Sequence, residues 1–306
     1  MQGAKPICCT AVFLSALSAA TNQEQTVSTQ NSNSTNTLTQ AGRYLIVISA
    51  FLGWFFAGMH LGTTSLAMSP AAKDLLRNSG QYEVVEADRE TARSQIEKDG
   101  SGDAEALAKA SADKRLNTDS SPWFGYYVCA LLFGAAAGGL VFGRIGDRFG
   151  RVKGMTAAIC CYSGMSLVAY FAESPTQLLV IRFILSMGVG GMWPNGVALM
   201  SEAWAGVSRP MLAGMIGTAA NIGIFVVGLA GRIWKVNEAN WENVMLLGSI
   251  PIIFGILIPY FVPESPRWLS QRSSQDKGND AGDSQKVSDS KSEIFRPPFL
   301  AITVAG

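Results

Sequence analysis

The stretch Gly143-Arg-Ile-Gly-Asp-Arg-Phe-Gly-Arg-Val-Lys153 sets four bases and one acid among eleven residues, between two almost wholly apolar segments. Asp147 can cap a helix or accept several N–H groups, and Arg148 and Arg151 offer forked donors to carboxylates on neighbouring elements. Gly143 and Gly150, without Cβ atoms, suit a close turn. This is ion-pairing chemistry, not bond-making chemistry. The same holds for Glu202 and Arg209, and for Glu264 and Arg267 within Pro263-Glu-Ser-Pro-Arg-Trp-Leu269. Arg182 lies inside an apolar run, where a charge is costly and faces a cavity or a partner; the alternative is a side chain snorkelling to the headgroups. His60, also in an apolar run, is either a proton site, since imidazole titrates near neutrality, or a packed, hydrogen-bonded residue. Trp193, Asn195 and Asn221 have polar tips that either line a cavity or, for Asn, bond neighbouring helices. No nucleophile–base pair or metal triad is legible. No catalytic residue, metal ligand or cofactor is assigned, and the chain does not read as an enzyme.

Six apolar runs must position these groups, each near the twenty residues that cross a bilayer as helix. They are expected over about 44–68, 122–142, 154–172, 178–204, 209–231 and 244–262. The short basic 143–153 loop sets that end inside by the positive-inside bias, and the loop Glu173–Gln177, without Lys or Arg, belongs outside. Residues 69–121 read as a long extracytoplasmic loop with a helix-friendly run from Tyr82 to Ala112. Gly134 and Gly138, four apart, form a groove for another helix. The class is an all-α, multi-pass membrane protein of the cell membrane.

Residues 1–42 read as a polar, disordered cytoplasmic tail; the rival is a signal segment over Ile7–Ala20 with small residues for cleavage. Residues 263–293 form a charged cytoplasmic linker, and 294–306 the start of a seventh span, so the chain reads as a fragment or a truncated product. A net charge of +1 gives no sign of nucleic acid. The five cysteines have neither disulfide-framework nor metal-ligand spacing. The single His excludes His-rich metal sites.

The pattern G-x-x-x-D-R-x-G-R from Gly143 to Arg151 resembles the signature loop between helices 2 and 3 of the major facilitator superfamily, with Val152 where a further base is usual. Arg182 with Gly188, Gly190 and Gly191 resembles that family's helix-4 motif, with Ser186 at the first Gly. Pro194 followed by Glu202 and Arg209 resembles the sugar-porter branch, and Pro263–Leu269 matches its P-E-S-P-R-W-L signature, which organic-solute carriers share. The resemblance implies the amino-terminal six-helix bundle of a transporter whose other half is missing. It also implies that Asp147, Arg148, Arg151, Glu202 and Arg209 join a cytoplasmic ion-pair latch.

Two departures bear on the solute. Phe55 stands where sugar porters carry a proton-coupling Asp, and Gly217 where they carry a sugar-contacting Gln. With no evident mid-span carboxylate, the partner of Arg182 is water, an acid from the second half, or the solute itself. The reading is alternating-access transport of a small solute, a sugar or an organic anion, with Arg182 as a bidentate anchor for the anion. The other reading is a non-transporting half-bundle acting as receptor, scaffold or remnant.

Overall fold

The structure, a computed structural model, describes residues 38–78, 86–99 and 103–280. Most of the amino-terminal tail, the end of the linker and the expected seventh span lie outside the described residues. The elements are α1 (Gln40–Asn78), α2 (Glu86–Asp99), α3 (Ala104–Phe149), α4 (Arg151–Ala169), α5 (Pro175–Ala203), α6 (Arg209–Trp234), α7 (Trp241–Ser249), α8 (Pro251–Phe261) and α9 (Pro266–Asp280). Six spans are long and apolar enough to cross a membrane; α7 and α8 make the last of them, interrupted at Ile250 ahead of Pro251.

Two helices run well past the expected spans. α1 continues through Pro70 to Asn78, and α3 begins at Ala104, about five turns before Pro122. The extension of α3 is rich in Ala, with Leu, Lys and Arg among the rest, all strong helix formers. It buries Ala108, Ala112 and Leu116 on one stripe, four residues apart, and α2 lies against it. Asp88 of α2, only 4% exposed, pairs with Arg115 at 2.6 Å. Much of the stretch expected as loop is therefore a polar helical extension of the bundle. Arg77 at the end of α1 bonds Glu238, and Asp74 accepts the indole N–H of Trp241 at 2.9 Å, tying this end to the α6–α7 connection.

The crossings are made by small residues. A Cβ on Gly138 of α3 would strike the backbone of Met187 in α5, and one on Gly190 would strike the backbone of Ala135. Gly58 of α1 meets Ala220 of α6 in the same manner. In hydrocarbon no hydrophobic force drives helices together, so backbone approach and dispersion must do so. Polar hooks add direction: Tyr127 donates to the Pro175 carbonyl at 3.2 Å, Tyr162 to Gly53 at 3.2 Å and Ser166 to Met245 at 2.7 Å.

Candidate functional site

The basic stretch between the second and third spans is helix almost throughout. α3 runs to Phe149, and the turn narrows to Gly150, with φ 118°. An L side chain is strained there, and a Cβ would stand 2.8 Å from the Glu264 carboxyl carbon. Both Glu264 oxygens accept from the Val152 N–H, at 3.1 and 3.2 Å, so the carboxylate covers the start of α4 where the dipole favours an anion. Ser265, fully buried, donates to the Glu202 carboxylate at the end of α5, and its hydroxyl accepts from the Trp268 N–H at 3.1 Å. Trp268 in turn donates its indole N–H to the Asp147 carbonyl at 2.9 Å. One short segment thus joins the α3–α4 turn to α5.

That junction differs from the latch implied by the resemblance. Glu202 bonds Ser265 and makes no ion pair with Arg209, which is exposed on the first turn of α6. Among the described residues Arg148, Arg209 and Arg267 are exposed and lack ion pairs; Arg148 lies over the ring of its neighbour Phe149, 5.4 Å from the centroid. Arg151 pairs with Asp147 at 2.7 Å. Gly143 lies inside α3 and makes no turn. Ser265 and Trp268, singled out in no expectation, hold the junction together, and their place in the Pro263–Leu269 signature was the available sign.

Arg182 is fully buried between α5 and α1. One terminal nitrogen donates to Thr63 at 3.3 Å, the other to Thr64, and its Nε has no partner. Among the described residues no carboxylate pairs with it. The threonine hydroxyls themselves donate to the His60 carbonyl, at 2.7 Å for Thr63 and 3.4 Å for Thr64. Sequence reasoning missed both threonines, because a hydroxyl on an apolar helix ordinarily bonds its own backbone. The guanidinium is enclosed, so in this conformation it anchors no solute. His60 packs on Tyr162 with ring centroids 5.0 Å apart. It is packed beside Gly248 of α7, and neither ring nitrogen makes a well-formed hydrogen bond.

The two amide-bearing candidates differ in their surroundings. Asn195 is fully buried and donates to Phe142 at 3.0 Å and Gly191 at 2.9 Å. It ties α5 to α3, and its Oδ1 is left without a partner. Asn221 is exposed on α6, its amide turned back to the Gly217 carbonyl at 3.0 Å. Trp193 is 38% exposed and packs against Trp54 of α1, ring centroids 5.1 Å apart.

Comparison with known proteins agrees with this architecture. A gallate transporter of Pseudomonas putida is 31% identical over 154 residues, 49% of this chain and 34% of that protein. The 4-hydroxybenzoate transporter PcaK of Acinetobacter baylyi is 29% identical over 154 residues, 50% of this chain and 34% of the relative. A cis,cis-muconate transport protein of the same species is 27% identical over 172 residues, 56% of this chain and 41% of the relative. The chain thus spans well under half the length of these relatives. The inward-open xylose transporter XylE from E. coli superposes with a TM-score of 0.52 at 19% identity, over 85% of this chain and 58% of that one, a likeness of fold. The family described as sugar (and other) transporter matches residues 45–296, and the chain belongs to that family.

Proposed function

We propose that this chain moves a small organic acid across a cell membrane by alternating access. The observation that carries the reading is the junction at Gly150. Glu264, Ser265 and Trp268 fasten the α3–α4 turn to the end of α5, so that these helices move as one body. Rigid bodies rocking about a midplane site are how transporters of this architecture work. The exposed bases Arg148, Arg209 and Arg267 at the same rim are then free to pair with a second bundle in one state and release it in the other. That rim is cytoplasmic by the positive-inside bias. Cysteine probes in a cysteine-free background test the sidedness: an impermeant reagent added outside should label Lys109→Cys and spare Lys153→Cys.

The organic-acid reading rests on Arg182. A guanidinium stays protonated, and no carboxylate among the described residues cancels it, so the spans carry a net positive centre. At an effective dielectric constant near 20, a unit charge about 16 Å away still favours an anion by roughly 1 kcal/mol. The relatives named for gallate, 4-hydroxybenzoate and cis,cis-muconate are named for carboxylates. Uptake of labelled 4-hydroxybenzoate and glucose by cells expressing the chain tests the reading. Preferential accumulation of the acid, reduced by Arg182→Gln, supports it; equal or greater uptake of glucose contradicts it.

A further inference from the structure

Seven tryptophans are present, and their indole N–H groups divide by depth. Trp204, Trp241 and Trp268, near helix ends, donate to the Arg43 carbonyl, the Asp74 carboxylate and the Asp147 carbonyl. Trp123 and Trp234 lie at the ends of spans, where water and headgroups serve as acceptors. Trp54 and Trp193 lie deep in α1 and α5, and neither donates its N–H to another described residue. A buried or lipid-facing indole without an acceptor is unfavourable in hydrocarbon, where an unpaired donor has no water to turn to. The exposed edge of Trp193 is therefore better matched by a polar or aqueous surface than by lipid.

The surroundings limit what that edge can hold. Between Ala50 and Met59 α1 has no polar side chain besides the Trp54 indole, and between Val189 and Val197 α5 has, besides Trp193, only the buried Asn195, whose amide nitrogen donates to Phe142 and Gly191. On these stretches of α1 and α5 a polyhydroxylated sugar would lose its water for few partners. A flat conjugated ring loses little and gains a stacking face on one indole, with the N–H of the other, tilted indole left for an oxygen on its edge. Trp193 is also eleven residues from Arg182, about 16 Å along the helix axis. A single-ring acid cannot reach both, so the ring station and the buried charge are separate.

We propose that Trp54 and Trp193, whose rings lie 5.1 Å apart and tilted by 53°, form a platform for the planar ring of an aromatic acid, one indole stacking on its face and the other donating its N–H to a ring-borne oxygen. This rests on the transport reading and names the part of the solute that the chain selects. The test measures binding of labelled 4-hydroxybenzoate to the purified full chain in nanodiscs, competed by unlabelled benzoate, cyclohexanecarboxylate and glucose. The platform predicts that benzoate competes about tenfold better than the equally charged but puckered cyclohexanecarboxylate, the worth of one good stacking contact. It also predicts that Trp193→Leu weakens binding about tenfold while Trp193→Phe keeps most of it. Equal competition by the two acids, or binding unchanged in Trp193→Leu, overturns the platform. If cells accumulate an aliphatic acid with no dependence on Trp54 or Trp193, transport stands and the platform falls. If neither cells nor nanodiscs take up or bind any acid, both readings fall.

Discussion

The rim and the middle of this bundle treat polar groups in opposite ways. At the rim, Glu264 accepts from two backbone N–H groups, Ser265 both donates and accepts, and Trp268 reaches Asp147, so each group has an answer. Deeper in the bundle, the Nε of Arg182, the Oδ1 of Asn195 and the hydroxyls of Thr156 and Ser163 have none. An unpaired polar group in an apolar interior costs about 1–3 kcal/mol, and more when charged. The rim is built for permanence. The middle holds free energy that another conformation, water or a charged visitor could recover, which is where function is expected.

The contrast predicts effects of opposite sign. Gly150→Val should give the largest loss, about 3 kcal/mol, because it strains a positive φ and pushes the Glu264 carboxylate off the start of α4. A fall in the melting temperature of about 10 °C in detergent would register it. Arg182→Met should do the reverse and raise stability by about 2 kcal/mol, since an apolar chain of similar length replaces a buried charge without a carboxylate. Glu264→Gln should cost about 1 kcal/mol, because the amide keeps one acceptor but loses the charge that suits a helix start. Arg209→Gln should move the melting temperature by no more than about 1 °C, as its exposed guanidinium holds no ion pair among the described residues. A large loss from Arg209→Gln would restore the Glu202–Arg209 latch that the structure replaces with Ser265.

The spans were legible because apolar length is a strong signal, and family motifs at Gly143–Arg151 and Pro263–Leu269 identified the bundle. Their ends were less so. The first span was expected to end near residue 68 and the second to begin at Pro122, yet α1 passes through Pro70 and α3 through Pro122, since packing on both sides outweighs one missing hydrogen bond. The charged motif residues read as partners of each other. Folding instead gave Glu202 to a serine and Glu264 to a backbone N–H, contacts between residues 63 and 112 positions apart that spacing alone does not encode. The Trp54–Trp193 pair was half visible: Trp193 stood out beside Pro194, whereas Trp54 lay in an aromatic run indistinguishable from ordinary core.

Arg182→Met, read for stability and uptake on the same preparation, tests the central claim most directly. The account predicts a melting temperature about 5 °C higher together with lost accumulation of 4-hydroxybenzoate, a more stable bundle that no longer favours an anion. A lower melting temperature would contradict it and make Arg182 a structural residue, and a more stable protein that still accumulates the acid at the original rate would contradict its role in favouring the anion.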